Sequence, residues 1–175
     1  MCAGIQRPLL LVDVDGVISL FGFDLDAPPE GRWQLVDGVA HLLSATAGGH
    51  LRRLADAYEL VWCTGWEEKA NEYLPRALGL PGPLPHLTFA GATPHRQGHW
   101  KLAAIDRYAG PERPLAWIDD AHEERCRAWA RARPGPTLLI ATDPAVGLTA
   151  THVRRLLGWA AELAASAQPA RATTE

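Results

Sequence analysis

The hydrophobic positions of this chain alternate between short apolar runs and longer amphipathic stretches. Runs of four or five mostly apolar residues, bounded by polar or turn-forming residues, are typical of strands buried on both faces of a sheet. The predicted buried strands are 9–12, 59–63, 114–118 and 137–141. Stretches with apolar residues at helical spacing lie between and after them. The predicted helices are 50–58, 67–78, 98–108, 121–131 and 149–167.

Strands that alternate with helices predict a parallel sheet with right-handed crossovers. We therefore expect an α/β fold of three layers, in which a Rossmann-like parallel sheet carries helices on both faces. Two β-like runs, 16–23 and 32–36, flank a Pro- and Gly-rich turn and predict a β-hairpin flap after the first strand. Residues 39–43 and 87–90 are further short strand predictions.

The length and composition are those of one globular domain: 175 residues, 47% hydrophobic and 21% charged. We expect this domain to span residues 1–167, followed by a small, polar and flexible tail over 168–175. The three cysteines lack metal-ligand spacing, the first residues lack a secretory apolar segment, and no apolar run is long enough for a membrane span. These features predict a reduced, cytoplasmic protein with no membrane partner.

The net charge of −3 offers no general attraction to nucleic acid or to an anionic membrane. Four arginines within residues 125–133 leave open a local basic patch. Lysine is rare, because the chain has only Lys69 and Lys101 against 15 arginines. A lysine at a useful position is therefore more noticeable here than in an average sequence.

Two aspartates and a glycine directly follow the first predicted strand. Successive strand side chains point to opposite faces, so Asp13 and Asp15 share one face if the extended conformation continues. Two like charges this close repel each other and are tolerated best with a cation or a proton between them. Ligands also bind at the ends of central strands in α/β sheets. The alternative is an Asp-Gly turn with both acids solvated, and this stretch alone does not decide between the two.

Polar residues also follow the second and third predicted strands, namely Thr64 and the pair Asp119 and Asp120. The carboxyl ends of parallel strands lie along one edge of a sheet, so we expect these residues to converge with the two aspartates of the first strand. Lys101 lies in the first turn of a predicted helix. Carboxylates make a hard oxygen site suited to Mg²⁺, and a lysine and a hydroxyl beside it suit a phosphoryl group.

Each of these residues has a purely structural alternative. Thr64 could end its strand in a Thr-Gly turn, and Lys101 could be a solvated helix lysine. Asp119 and Asp120 could cap the helix that follows them. Taken together, the alternatives require separate coincidences at several strand ends, which favours one shared site.

The Asp-Val-Asp-Gly motif, the threonine, the lysine and the acidic pair, in this order, resemble the haloacid dehalogenase-like (HAD) superfamily. All four motifs of that superfamily are present over residues 9–120, each after an apolar strand or at a helix start. Residues 62–66 and 142–149 also resemble a small bacterial HAD group related to the HAD domains of multidomain RNA-repair proteins.

The resemblance implies a role for each aspartate of the first motif. Asp13 corresponds to the nucleophile, whose carboxylate attacks phosphorus and becomes an aspartyl phosphate. Asp15 corresponds to the general acid and base, which protonates the leaving oxygen and then activates water, and its backbone carbonyl faces the metal. The dehalogenating branch of the superfamily lacks the second aspartate, so Asp15 favours phosphate ester hydrolysis over carbon–halogen cleavage.

The other motifs imply the contacts to metal and phosphate. Thr64 would hydrogen-bond a phosphoryl oxygen, Lys101 would neutralise the nucleophile and the transferring group, and the acidic pair would bind Mg²⁺ directly or through water. The residues implied at the metal are Asp13, Asp15, Asp119 and Asp120. The residues implied at the substrate are Thr64, Gly65, Trp66 and Lys101. Trp66 would stack on a ring of the leaving group, although a core or surface tryptophan is an equal alternative.

The resemblance implies a Mg²⁺-dependent phosphatase that acts on a phosphorylated small molecule, a nucleotide or a nucleic-acid end. The intervals 16–63 and 65–100 have no room for a large folded cap, and an open cleft suits a bulky substrate. One alternative is a catalytically weak HAD fold that serves as a binding or assembly module. Another is a phosphotransferase or phosphomutase, which normally needs a lid to exclude water. The oligomeric state is not predicted.

Overall fold

The structure of the protein, a computed structural model, describes residues 7–89 and 99–167. The strands among these residues are β1 (Leu9–Val12), β2 (Ser19–Leu20), β3 (Gly31–Val36), β4 (Val39–Ser44), β5 (Glu59–Trp62), β6 (Leu115–Asp119) and β7 (Thr137–Ala141). The helices among them are α1 (Ala47–Leu54), α2 (Ala70–Leu78), α3 (Leu102–Ala109), α4 (Glu124–Ala132) and α5 (Ala150–Ala167). A short 3₁₀ turn, Glu67–Lys69, directly precedes α2.

Four strands form a parallel sheet in the order β5-β1-β6-β7, as the alternation of strands and helices predicts. β1 is completely buried, because its apolar side chains face both layers of helices. Leu10 and Val12 pack on one side of the sheet with residues of α1, α2 and α5. Leu9 and Leu11 pack on the other side with residues of α3 and α4. The predicted three-layer α/β fold is therefore confirmed.

A second, antiparallel sheet follows β1 and forms the flap, with the strand order β2-β4-β3. The predicted pairing of 16–23 with 32–36 is wrong, because β2 and β3 each pair with β4. The hairpin turn is Asp37-Gly38, where φ is 49° and 82°. Positive φ at both central residues is the type I′ geometry, which matches the twist of the flanking strands and which Asp-Gly adopts readily. The flap is thus present, but its hairpin forms at a different turn.

Helix α1 begins at Ala47 and ends at Leu54, whereas the prediction was 50–58, so Gly48 lies inside the helix. A Cβ on Gly48 would lie only 2.2 Å from the backbone oxygen of Leu78. The glycine therefore allows α1 to approach the end of α2 at a distance that any side chain would prevent.

Three further predicted elements have different bounds in the structure. Helix α3 begins at Leu102, so Lys101 directly precedes it, and the predicted start at Gly98 lies outside the described residues. Helix α4 begins at Glu124 rather than at residue 121. Residues 87–89 do not form a strand, although a single bridge joins the preceding His86 to β5, and Ala90 is not described.

The insertions around the sheet are small in the described part of the chain. Only the flap and α1 lie between β1 and β5, in agreement with the prediction of no large cap. Within residues 7–89 and 99–167, no helix is both long and apolar enough to cross a bilayer. Residues 168–175, for which a flexible tail is predicted, lie outside the described ranges, and the domain boundary at residue 167 stays a prediction.

Candidate active site

The carboxyl ends of β1, β5 and β6 lie side by side at one edge of the parallel sheet. Asp13 directly follows β1, Thr64 lies just after β5, and Asp119 is the last residue of β6. The pairing of β1 with β6 continues past the strand end, because the backbone N–H of Asp13 donates to Ile118 O at 3.0 Å. Segments far apart in the sequence are therefore held next to one another, as the parallel sheet predicts.

Lys101 lies between two of the carboxylates at this edge. Its Nζ is 2.8 Å from Asp13 Oδ2 and 2.6 Å from Asp119 Oδ2, and its side chain is only 3% exposed. Helix α3 holds the lysine in this position, since Lys101 directly precedes the helix and Ile105 of the next turn is buried in the core. This burial excludes the alternative of a solvated helix lysine.

The two aspartates of the acidic pair have different surroundings. Asp119 Oδ2 accepts hydrogen bonds from Lys101 Nζ at 2.6 Å and from Trp117 Nε1 at 3.1 Å. Asp119 Oδ1 accepts from the backbone N–H of Ala121 at 2.9 Å. Asp120 is less buried, and no ion pair engages its carboxylate among the described residues. Asp119 is thus fully engaged within the protein, whereas Asp120 remains open to a ligand.

Gly16 is required by the close approach of the first motif to the acidic pair. Its φ is 72°, in the left-handed region, and a Cβ at this position would lie 2.5 Å from Asp120 Cγ. Any side chain at Gly16 would therefore displace Asp120. Thr142 Oγ1 also donates to Gly16 O at 2.8 Å, which ties the segment after β7 to the same turn.

The carboxylates of Asp13, Asp119 and Asp120 form an acidic cluster, in which one oxygen of each lies within 4.8 Å of the others. Burial raises the pKa of Asp13 to about 7, and the charge of Asp119 adds to this rise while Lys101 opposes it. Burial and the charge of Asp119 also raise the pKa of Asp120. Burial disfavours the charge of Lys101, but Asp13 and Asp119 outweigh it and raise the pKa of Lys101. One lysine thus compensates only part of the negative charge.

The acidic cluster fits a hard divalent cation. Its donors are all carboxylate oxygens, which Mg²⁺ and similar ions prefer to nitrogen or sulfur. Burial and mutual repulsion disfavour three charged carboxylates at this distance, and a cation would relieve both. The cluster could therefore bind a metal ion.

The carboxylate of Asp15 lies outside the acidic cluster and contacts the flap and the segment after β5. Trp66 Nε1 donates to Asp15 Oδ2 at 2.9 Å, and His41 Nδ1 lies 3.7 Å from Asp15 Oδ1. Ser19 Oγ is 2.9 Å from His41 Nδ1, and the rings of His41 and Trp66 meet edge-on with centroids 4.7 Å apart. The Asp15 side chain is 49% exposed, so a ligand can reach it while these contacts hold it.

His41 is a site residue that the sequence did not indicate. It lies within β4, and a single histidine inside a strand has no spacing that would distinguish it from a structural residue. Its place beside Asp15 arises from the pairing of β2 with β4, which brings Ser19 and His41 within hydrogen-bonding distance.

The segment Thr64-Gly65-Trp66 lies at the same edge of the sheet. Thr64 is 1% exposed, and its Oγ1 accepts from the backbone N–H of Trp66 at 3.3 Å. A Cβ on Gly65 would lie 3.7 Å from the Trp100 ring, so this backbone passes close to that indole. The Trp66 indole is half-buried: it packs against the hydrophobic core on the α1, α2 and α5 side of the sheet, and its N–H donates to Asp15.

The parallel sheet, the flap after β1 and a lysine held between two strand-end aspartates together define a HAD-fold hydrolase. Residues 9–153 match the family model described as the HAD domain in Swiss Army Knife RNA repair proteins. The chain belongs to this family, which confirms the predicted resemblance to the RNA-repair group. No curated protein matches the chain at a significant level.

Proposed function

We propose that this protein is a Mg²⁺-dependent phosphatase that hydrolyses phosphate monoesters through an aspartyl-phosphate intermediate. The supporting observation is Lys101, whose Nζ is 2.8 Å from Asp13 and 2.6 Å from Asp119. A lysine so held neutralises the nucleophilic carboxylate and meets the negative oxygens of a phosphoryl group. A binding module has no need of such a group, because burying an ion pair costs free energy that apolar packing avoids.

The two aspartates of the first motif divide the chemistry. A carboxylate oxygen of Asp13 attacks phosphorus while the bond from phosphorus to the leaving oxygen breaks, and Asp15 donates a proton to that oxygen. Asp15 then accepts a proton from water, whose oxygen attacks the phosphorus of the aspartyl phosphate. The bond between phosphorus and Asp13 breaks, inorganic phosphate leaves, and the free carboxylate is restored.

We assign the metal to Asp13 and Asp120, with the backbone carbonyl of Asp15 as a further oxygen donor. Asp119 has a different role, because it accepts three hydrogen bonds, from Lys101, Trp117 and the backbone of Ala121, and its side chain is only 1% exposed. When bound, Mg²⁺ supplies positive charge to the transferring phosphoryl group. The freedom of the Asp120 carboxylate from ion pairs among the described residues supports this division.

Phosphorylated nucleic-acid ends are the substrate class that we propose, with nucleotides as a smaller alternative. The family is described by its occurrence in RNA repair proteins, and such a role calls for chemistry at strand ends. The exposure of Asp15, at 49%, supports access for a large substrate. A phosphomutase or phosphotransferase is less well supported, because it needs a lid that keeps water from the intermediate.

The activity of the protein should depend on a divalent metal ion. The protein should hydrolyse a generic aryl phosphate with Mg²⁺, and a chelator should abolish the reaction. The substitution Asp120→Asn removes one carboxylate from the acidic cluster, so the Mg²⁺ concentration for half-maximal rate should rise at least about tenfold. In the metal-free protein the same change should raise the unfolding temperature, since it relieves repulsion between buried carboxylates.

Phosphate release and thermal unfolding, each followed over a Mg²⁺ titration, measure both effects. Asp26→Asn, at an exposed position between β2 and β3, is the matched control and should change neither. Absence of turnover on a broad panel of phosphate esters would contradict the phosphatase and favour the binding module.

We assign Trp66 as a positioning residue for Asp15. Trp66→Phe keeps a ring against His41 but removes the N–H that donates to Asp15 Oδ2 at 2.9 Å. An alkoxide leaving group needs a proton from the general acid, whereas an activated aryl oxide leaves without one. The variant should therefore slow hydrolysis of an alkyl phosphate about tenfold and of an activated aryl phosphate less than about threefold.

The ratio of the two rates separates this role from a structural one. The matched control is Trp129→Phe, which removes an indole hydrogen bond of the same 2.9 Å length, to Asp106 and outside the acidic cluster. It should leave the ratio unchanged. If Trp66→Phe slows hydrolysis of both substrates equally, the substitution distorts the site in general, and the positioning role is contradicted.

A further inference from the structure

An open groove lies between β3 of the flap and α2. It consists of two adjoining depressions of about 480 and 540 Å³, which have Arg32, Arg76 and Ala77 in common in their walls. We name it the arginine groove and define it by Arg32, Gln34, Arg52, Glu72, Tyr73 and Arg76. None of these residues belongs to the acidic cluster. None lies in the motifs at the edge of the parallel sheet that holds Asp13, Thr64 and Asp119, which we name the catalytic edge.

The arginine groove concentrates positive charge in a chain of net charge −3. Three guanidinium groups line it against the single carboxylate of Glu72. Arg32 and Arg76 are exposed, and within residues 7–89 and 99–167 neither has an ion-pair partner. Arg52 donates to the backbone oxygens of Leu78 and Gly79, which hold the side chain without neutralising its charge. The groove therefore attracts anions.

A second group of arginines lies within residues 125–133, where the sequence leaves open a basic patch. Two of these arginines are paired with a carboxylate. Arg127 lies 3.6 Å and Arg131 lies 2.8 Å from carboxylate oxygens of Glu124, the first residue of α4. These pairs reduce the net charge that α4 presents. Arg32 and Arg76 of the arginine groove have no such partner among the described residues, so their charges stay available to a ligand.

The arginine groove begins next to the catalytic edge. Gln34 lies directly opposite His41 in the register of β3 and β4, so both side chains share one face of the flap. His41 Nδ1 is 3.7 Å from Asp15 Oδ1. Arg32 is on the same face as Gln34, about 6–7 Å away along the strand. Val36, also on this face, is buried, so the face turns toward the body of the molecule. A chain in the groove can therefore bring its end to the catalytic aspartates.

We propose that the arginine groove binds the sugar–phosphate backbone of a single-stranded polynucleotide whose phosphorylated end lies at Asp13. This inference rests on the proposed phosphatase function. Arginine presents a planar fork that matches phosphate geometry, and positive charges spaced along a groove suit a chain of repeated phosphates. A free phosphate or a mononucleotide would occupy only one of the two depressions. Tyr73 supplies an aromatic ring on which a base can stack.

The test is equilibrium binding in the Asp13→Asn background, measured by fluorescence anisotropy, so that no turnover occurs. The ligand is a labelled single-stranded RNA of about eight nucleotides with a terminal phosphate, and a DNA of the same sequence is the second arm. Arg32→Glu combined with Arg76→Glu should weaken RNA binding at least about tenfold and make its salt dependence shallower, because phosphate contacts are lost. The control, Arg125→Glu with Arg155→Glu, changes the net charge equally on α4 and α5 and should leave binding nearly unchanged.

Unchanged RNA affinity in the groove variant, or an equal loss in the control, would overturn the proposal. So would equal competition by an acidic peptide of the same charge, because the groove would then not distinguish a polynucleotide from a protein. Equal affinity for RNA and DNA supports recognition of the shared backbone, and tighter binding of RNA supports an added contact to the 2′-hydroxyl. A second variant combines Arg32→Gln with Arg76→Gln. It should keep the wild-type circular dichroism spectrum and lose an intermediate amount of RNA affinity, which would show that the effect arises from charge and not from misfolding.

Binding and hydrolysis report on separate claims. If the groove variant loses RNA binding but the wild type releases no phosphate from any ester, the groove proposal stands and the phosphatase proposal fails. If the wild type releases phosphate but the groove variant binds RNA with unchanged affinity, the phosphatase proposal stands and the groove proposal fails.

Discussion

Replacing Asp13 with asparagine is expected to lower the rate of phosphate release at least about 10⁴-fold while the protein stays folded. An amide oxygen is a far weaker nucleophile than a carboxylate, so no aspartyl phosphate forms. The fold should persist because Asp13 lies at the end of β1, at the sheet edge, and Asn has nearly the same shape. Its backbone N–H still donates to Ile118 O.

Phosphate release at saturating Mg²⁺, together with circular dichroism and thermal unfolding, measures both parts of this expectation. Asp56→Asn makes the same chemical change at an exposed position after α1 and should retain the parental rate. Near-parental activity in Asp13→Asn would mean that another group is the nucleophile. Acid-quenched wild-type protein should carry a covalently bound phosphate that the variant lacks.

Removing Lys101 should damage both activity and stability. In Lys101→Met the buried carboxylates of Asp13 and Asp119 lose the cation that lies 2.8 and 2.6 Å from them. Breaking a buried ion pair by deleting one partner typically costs about 3–5 kcal/mol, because an uncompensated charge stays buried. Activity should fall at least about 10³-fold, since positive charge is lost from both the nucleophile and the phosphoryl group.

The pH dependence of Lys101→Met follows from the pKa of Asp13. In the folded protein this pKa is raised from 3.8 to about 7 by burial, so the folded state binds the proton more tightly than the unfolded state does. Without metal, the resulting stability is fully present below about pH 4 and is lost as the pH rises through about 7. Lys101 lowers the pKa of Asp13, so its removal raises this pKa further. The decline in the stability of the metal-free protein then extends above neutral pH.

Chemical unfolding in chelator across the acidic to mildly alkaline range measures the pH profile of stability, and phosphate release in Mg²⁺ measures the loss of activity. The chain offers one matched control, because Lys69 is its only other lysine. Lys69 is exposed and pairs with Asp37 at the tip of the flap, so Lys69→Met should change little. Equal effects of the two substitutions, or an unshifted pH profile in Lys101→Met, would contradict the assigned role of Lys101.

The flap shows why local patterns were insufficient for part of the fold. The sequence contains two turn signals in this region, the Pro-rich stretch 24–31 and Asp37-Gly38, and the chain turns at both, although Gly31 already belongs to β3. Which turn joins paired strands depends on which strand lies in the middle of the small sheet. β4 takes that place because Leu42 and Leu43 are buried on it, and burial is a property of packing rather than of turn chemistry.

The acidic pair shows the same limit at the site. The sequence indicates that Asp119 and Asp120 lie at the edge of the sheet, but two adjacent acids after a strand are chemically identical. Their roles diverge only through contacts, because Lys101 and Trp117 converge on Asp119 while Asp120 packs against Gly16.

Sequence pattern was sufficient for the buried strands, their alternation with helices and the meeting of the strand ends at one edge of the sheet. Apolar runs are local, and a parallel sheet necessarily brings the ends of its strands together. The partners of Asp15 and the arginine groove required the tertiary structure. His41 and Trp66 reach Asp15 from the flap and from the turn after β5, and the groove's arginines come from α1, α2 and β3. These contacts depend on how separate helices and strands pack against one another, and the local hydrophobic pattern of a sequence does not specify that packing.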